Sequence, residues 1–375
     1  MTAITTGLEL ELWVVDDAGR LCDGRHLADA HERITPEFVG PLLEVRTAPH
    51  DTDAGLRRDL QSVLEAALAA ARADGKRLVP LGTPLSPVEA SADDERGRLF
   101  EEIYGDGVES AKNCAGTHIH LEQAPTDAGV CDQLTLLTAL DPALALVSSS
   151  PYYRGGRGVD SSRALAYRRA CGRAFRPFCD IWPYPDSLAA WQARVDDAYE
   201  LFLRFAADRG VSPERVEAAF SPEDTVLTPV RLRRHQPTVE WRAPDSALPG
   251  QLLRLASDVR DLVGHLETSS LEVGTTGVTD GRIGVPRFET VRDLGDRAIV
   301  DGLSDDLVRA YLRRMGFDPD AYRPITGQLD GPRDLSLATA RRYRLEYATR
   351  LEADVRSLAG RRGPARPATG QTPYT

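Results

Sequence analysis

The residues best suited to chemistry lie in the stretch Ala115-Gly116-Thr117-His118-Ile119-His120-Leu121-Glu122. On a strand, alternate side chains point to opposite faces, so His118, His120 and Glu122 line one side while Ile119 and Leu121 press into a core. The same alternation recurs three times with carboxylates on the polar side. Gly7-Leu8-Glu9-Leu10-Glu11-Leu12 offers Glu9 and Glu11, Leu43-Glu44-Val45-Arg46 offers Glu44, and Thr238-Val239-Glu240-Trp241-Arg242 offers Glu240. If the four strands share one sheet, Glu9, Glu11, Glu44, Glu122 and Glu240 converge on one concave face, with Arg46 and Arg242 in partial compensation. Packed carboxylates raise one another's pKa and strain the fold unless cations are present. A divalent metal resolves the conflict. Solvated polar faces of antiparallel strands write the same pattern one strand at a time. It is the concurrence of Glu-x-Glu, His-x-His and two Glu-x-Arg pairs that points to a site.

An oxygen-rich set with imidazole favours Mg2+ or Mn2+ over the thiolate and multi-imidazole sites of structural zinc. Hard cations of this kind usually act on phosphates, so ATP enters as an inference. No convincing Ser-His-Asp or Cys-His arrangement accompanies the set, and a covalent protein nucleophile is not expected.

The elements that must position these residues can be read around them. Residues 54–73 repeat Leu56, Leu60, Val63, Leu64, Ala67, Leu68 and Ala71 at helical spacing, with Thr52 or Asp53 to cap the start and Gly75 to end it. Residues 77–83 read as a short strand and 90–104 as a charged helix. Residues 128–147 read as a helix that Pro142 must kink or restart. Residues 152–176 read as a Gly- and Arg-rich loop; its guanidinium density suits phosphate or carboxylate recognition, with one or two arginines expected to touch a ligand. Residues 187–208, 213–220, 248–266, 303–315 and 335–358 read as helices, while 21–37 resists assignment. Residues 360–375, rich in Pro, Gly and Arg, read as a disordered tail. No internal repeat and no earlier linker is visible, so 1–359 are expected to form a single α+β domain with strands on one face and helices behind.

Composition sets the outer limits. A chain of 375 residues that is 42% hydrophobic can bury a substantial core. No run of about 18 apolar residues occurs and Met1–Thr6 carries no basic-then-apolar signal, so a cytoplasmic protein with no membrane span is expected. Cys22, Cys114, Cys131, Cys171 and Cys179 are odd in number and scattered, which reads as reduced thiols. Cys114, just before the His strand, reads as a small buried hydrophobe. A net charge of -11 argues against a nucleic-acid partner. Only Lys76 and Lys112 are lysine among the 46 basic residues, a coding or habitat bias.

These residues, in this order, resemble the glutamate-cysteine ligase type 2 family, also called carboxylate-amine ligases, whose fold is similar to that of glutamine synthetase. The resemblance is carried by Gly7-Leu8-Glu9-Leu10-Glu11, Leu43-Glu44-Val45-Arg46-Thr47, Gly116-Thr117-His118-Ile119-His120, Ser149-Ser150-Pro151-Tyr152, Ser161-Ser162-Arg163 and Thr238-Val239-Glu240-Trp241-Arg242-Ala243-Pro244-Asp245. It implies a glutamine synthetase-like catalytic domain and an ATP-dependent ligase holding several Mg2+ or Mn2+ ions. By the same resemblance Glu9, Glu11, Glu44, His118 and Glu240 are metal ligands, and Glu37, seven residues before Glu44, is another. His120 becomes a nucleotide neighbour, Arg242 faces the transferring phosphate, and Arg163 contacts a substrate carboxylate or phosphate. Small-molecule substrates and a homo-oligomer are implied too.

The implied reaction joins glutamate to cysteine through an acyl phosphate. Two departures bear on the substrate: Glu122 stands where many relatives carry a small residue, and the Arg-rich segment after Arg163 has no obvious counterpart. Other readings of the same residues are a ligase for a different amine, a metal-dependent hydrolase, and a non-catalytic nucleotide-binding relative.

Overall fold

The computed structural model describes residues 4–87, 95–105, 112–169 and 172–360. Both the start of the expected helix at residue 90 and the expected tail beyond residue 360 lie outside them. Its centre is a seven-stranded sheet. The strands are β1 (Thr6–Asp16), β2 (Ile34–Pro36), β3 (Leu42–Arg46), β4 (Lys76–Val79), β5 (Thr117–Glu122) and, after a small hairpin of β6 (Tyr152–Tyr153) and β7 (Gly156–Arg157), β8 (Val230–Arg233) and β9 (Thr238–Trp241). Their order is β2-β3-β1-β5-β9-β8, all antiparallel, with β4 pairing the far half of β1. β1 is long enough to hold β5 along its first half and β4 along its second.

Alternation gives the sheet two unlike faces. Leu8, Leu10, Leu12, Leu43, Val45, Ile119, Leu121, Val239 and Trp241 all point into the main core. Three helices lie behind them: α1 (Asp53–Ala73) against β3 and β4, and, after α2 (Glu95–Tyr104), α3 (Asp127–Ala139) against β8 and β9. The third comes later in the chain. The Thr52 side chain caps α1 by accepting from the Gly55 amide. α3 stops at Ala139 and Pro142 opens a separate 3-10 turn, Asp141–Val147, because proline cannot donate to the preceding helix.

The segment expected to be a loop at 152–176 instead holds α4 (Ser162–Arg169) and the start of α5 (Gly172–Cys179). Glycines cluster before Ser162, and the helices begin after them. The remaining helices among the described residues are α6 (Leu188–Asp208), α7 (Pro213–Ala219), α8 (Pro249–Gly264), α9 (Phe288–Asp301), α10 (Asp306–Arg314) and α11 (Leu337–Leu358). α8 packs on β1 and β5 and completes the layer behind the sheet. Strand β8, helix α9 and a three-stranded sheet of β10 (Ser270–Val273), β11 (Gly277–Thr279) and β12 (Arg282–Val285) were not anticipated. Residues 21–37 contain a 3-10 turn, Arg25–Ala30, and β2.

The other face of the sheet is closed at one end by a second apolar cluster. Trp13, Val15, Leu42, Val79, Leu81, Tyr152 and Tyr347 belong to it, and the Trp13 indole donates to the Leu81 carbonyl at 2.9 Å. What remains open is the stretch bearing the charged residues. Among the described residues no single helix is long and apolar enough to cross a membrane; α3 with its following turn is apolar enough but bent by 53° and largely buried.

Candidate active site

Register fixes which charged side chains become neighbours. Across the ladders Glu9 faces Arg46 on one side and His118 on the other, Glu11 faces Glu44, His120 faces Glu240, and Glu240 faces Arg231. Glu9, Glu11, Glu44, Arg46, His118 and Arg231 floor a cleft with a cavity volume of about 390 Å3, lined on its other side by Arg96, Phe100 and Tyr104 of α2 and by Arg163 and Tyr167 of α4, while His120 and Glu240 lie buried beside it. Glu37, in the turn between β2 and β3, enters the same cleft.

The carboxylates and imidazoles interlock. His118 Nδ1 lies 2.9 Å from Glu9 and 3.5 Å from Glu240, and its Nε2 lies 3.7 Å from Glu11. His120 Nε2 lies 3.3 Å from Glu9 and 4.0 Å from Glu240. Three overlapping groups each bring one donor atom per residue within 4.8 Å: Glu9, His120 and Glu240; Glu9, Glu44 and His118; Glu11, Glu37 and Glu44.

The electrostatics divide the face into two ends. Burial pushes the Glu37 carboxyl up to about 8, assisted by Glu11 and Glu9. Burial likewise raises Glu44 well above the usual carboxylate range, with Glu9, Glu37 and Glu11 adding to it. At the other end burial would raise Glu240, but Arg231 and Arg242 outweigh it and hold the carboxyl far below that range. Arg231 grips Glu240 with Nε at 2.8 Å and Nη2 at 3.1 Å, and Arg242 Nη1 donates to the same group. Burial would raise Glu9 too, but its hydrogen bond to His118 and the nearby His120 imidazole carry it well below the range. Burial and then Arg242 lower His118, whereas Glu240 and Glu9 overcome burial and raise His120.

These side chains fit a hard divalent cation. The Nε2 atoms of His118 and His120 are buried without a hydrogen-bond partner, and the carboxylates at the Glu37–Glu44 end are crowded with like charge. The donor set is oxygen-rich with imidazole and has no thiolate in it.

Of the residues singled out in the sequence, Glu9, Glu11, Glu37, Glu44, His118, His120, Glu240, Arg242 and Arg163 are thus brought together. Glu122 is not. Alternation puts it on the right face, but it sits at the end of β5, exposed, accepting from the Thr5 amide at 3.2 Å and the Thr5 hydroxyl at 3.0 Å. Of the arginines at 152–176 whose side chains are described, only Arg163 lines the cleft; Arg168 forms a buried ion pair with Asp141, and Arg157 hydrogen-bonds Tyr152 and the Leu329 carbonyl. Sequence reasoning missed Arg231, Arg233 and Tyr167. Val230-Arg231-Leu232-Arg233, followed four residues on by the Glu240 strand, reads as the first arm of a hairpin and could have exposed the first two.

The sequence profile of glutamate-cysteine ligase family 2 matches residues 5–261, more than half of the chain and every strand of the charged face. The chain belongs to glutamate-cysteine ligase family 2. Membership makes it an ATP-dependent ligase. The "Putative glutamate–cysteine ligase 2" of Salinispora tropica is 29% identical over 279 residues, covering 70% of this chain and 69% of that protein. Its namesake from Salinispora arenicola is 28% identical over 366 residues, 83% of this chain and 94% of the relative.

Among solved structures, a glutamate–cysteine ligase from Francisella tularensis in complex with AMP superposes with a TM-score of 0.53 at 14% identity, covering 96% of this chain and 79% of that one. A bifunctional glutathione synthetase from Pasteurella multocida gives 0.55 at 15%, and although 94% of this chain is covered, it spans only 52% of that longer protein. The α+β architecture expected from the sequence, antiparallel strands with a charged concave face and helices behind, is therefore the fold of this family of ligases.

Proposed function

We propose that the protein joins an amino-acid carboxylate, with glutamate the first candidate, to an amine, with cysteine the first candidate, using ATP. The observation that carries this reading is the single sheet face on which Glu9, Glu11, Glu44, His118 and Glu240 adjoin Arg242, joined by Glu37 from the turn between β2 and β3. The six would hold Mg2+ or Mn2+, and His120, which lies against Glu9 and Glu240, would join them or meet the nucleotide. Bound there, a divalent ion supplies charge neutralisation for phosphate oxygens.

A carboxylate is a poor electrophile. Its oxygen takes the γ-phosphoryl group of ATP, ADP leaves, and the amine then displaces phosphate from the acyl phosphate to form the amide. Arg242 offsets charge on the moving phosphoryl group, held to its task by the buried Glu240 beside it. Arg163 receives a carboxylate or phosphate of the substrates. The helical roof of Phe100, Tyr104 and Tyr167 keeps water from the activated carboxyl. The arginines of the cleft favour phosphate handling over a metal-dependent hydrolase, and a ligase for a different amine is the second reading. Self-association is expected from the resemblance, and light scattering on the purified protein would read it.

The test is ADP release with Mg2+ and ATP in the presence of glutamate alone, cysteine alone, and both, with mass analysis of the product. Release that needs both, with γ-glutamylcysteine formed, supports the reading. Release with glutamate and another amine redirects the acceptor. ATP binding without release under any pair, across a panel of amines, removes the ligase reading.

A further inference from the structure

Asp245 is 1% exposed and takes no part in the chemistry above. It lies just beyond β9, and its carboxylate gathers two distant turns. Oδ2 accepts from the Ser149 amide at 2.9 Å and the Ser150 hydroxyl at 2.6 Å, and Oδ1 accepts from the Ser161 hydroxyl at 3.2 Å. The two turns are also tied to each other, since the Ser162 amide donates to the Ser150 carbonyl at 2.7 Å and the Arg163 amide donates to the Ser150 hydroxyl at 3.2 Å. Asp245 thereby anchors the first turn of α4 to the end of the sheet.

From that turn Arg163 reaches back over the floor of the cleft. Its Nη1 donates to the Ala243 carbonyl at 3.1 Å and its Nη2 to the Arg242 carbonyl at 3.4 Å. The seat also depends on Gly116: a Cβ there would lie 2.1 Å from Arg163 Nη2. Arg163 is 5% exposed, its Nε has no partner, and among the described residues no carboxylate forms an ion pair with it. Asp245 is linked to the Arg163 backbone and not to its guanidinium, through the Ser150 hydroxyl that accepts from the Arg163 amide. A carboxylate gripping the guanidinium directly would have occupied the fork that an anionic ligand needs. Neutral carbonyls and a remote carboxylate fix its position and leave its charge to be met from the cleft.

We propose that Asp245 is a positioning residue: through Ser150 and Ser161 it sets α4 so that Arg163 stands in the cleft wall as a preformed seat for the anionic group of a substrate. The seat needs no ordering when the substrate arrives, which is where preorganisation gains affinity. The inference rests on the ligase reading.

The experiment is a double-mutant cycle on the full chain with Mg2+, ATP and glutamate, comparing Arg163→Ala, Asp245→Ala and the double variant, together with crystal structures of the single variants. Arg163→Ala is expected to raise the KM for the carboxylate substrate about tenfold or more, with a smaller change in kcat. Asp245→Ala is expected to do the same, the double variant to be no worse than Arg163→Ala alone, and Asp245→Asn to recover part of the loss. A merely structural Asp245 would give losses that multiply. Multiplying losses, or a crystal structure of Asp245→Ala with the guanidinium still on the carbonyls of Arg242 and Ala243, overturns the proposal. Should Asp245→Ala not fold, Ser161→Ala cuts one arm of the anchor and takes its place in both measurements. If the wild type turns over no carboxylate substrate, it is the ligase reading that has failed, and the position of the guanidinium in the variant structures still decides the role of Asp245.

Discussion

Glu11 and Glu44 stand directly opposite each other across the β1–β3 ladder, two carboxylates where a sheet ordinarily pairs unlike charges or apolar groups. Glu37 closes on both from the neighbouring turn. The arrangement is unfavourable as it stands and becomes favourable with a cation.

Divalent ions should therefore stabilise the fold. A thermal melt in EDTA is expected to be raised by Mg2+ or Mn2+, with a gain of about 2.7 kcal/mol when the ion is at roughly 100 times its Kd. At a pH above about 8, where these carboxyls have lost their protons, Glu44→Gln should melt higher than the wild type in EDTA, by about 0.5–1 kcal/mol, and gain less from the ion. An EDTA melt that is lower for Glu44→Gln would remove the like-charge argument.

The pH dependence follows from Glu37 and Glu44, whose folded-state pKa values lie above the ordinary 4.5, Glu37 at about 8. Groups of this kind contribute stability that is fully present below the unfolded pKa and lost as pH rises through the folded one. In EDTA, the contribution of Glu37 should thus decline from about pH 4.5 to about pH 8 and then level off. Metal affinity should rise over the same window, because the ligands must lose their protons. Melts across pH with and without Mg2+ check both; parallel curves would contradict the assignment.

Arg231 is fully engaged with Glu240, whose side chain is 0% exposed. Removing one partner of a buried pair strands the other charge, so Arg231→Ala should cost about 3–5 kcal/mol in denaturant unfolding. Glu240→Gln in the same chain should recover much of it while abolishing turnover. A loss under about 1 kcal/mol for Arg231→Ala would mean that Arg242 alone suffices to hold Glu240.

Gly116→Ala should drive the Arg163 guanidinium from its seat, because a methyl group would overlap it. Activity is expected to fall at least about tenfold while the urea midpoint moves little, since the atoms that must give way are the far end of the Arg163 side chain and not backbone. Undiminished activity would show that Arg163 is not needed where it sits.

Much of this site was legible because its strands carry unlike residue types on alternate positions. His118 and His120 among Ile119 and Leu121 announce both a face and a neighbour. Alternation says nothing about distance along the strand, which is why Glu122 shares the face but not the cleft. Arg231 was hidden by composition: in an Arg-rich chain, Val230-Arg231-Leu232-Arg233 looks like background until β8 is paired with β9. Helix α9 was hidden by Gly295, a poor helix former that is required because a side chain there would meet the Asp141 carboxylate at 2.5 Å. Helix α4 was obscured by the glycines and arginines around it, whose signal is that of a loop.

The two faces of β5 also limit how the chain can change length. β5 is paired on both sides, so a one-residue deletion inside it cannot be absorbed at an edge; it would exchange His118 and His120 for Ile119 and Leu121 and turn imidazoles into the apolar layer. Insertions and deletions among descendants of this sequence should accordingly be confined to the turns between strands, whereas point substitutions can retune the cleft. Chemistry and solvent exclusion are written on the same few residues of backbone, so neither can drift out of phase with the other.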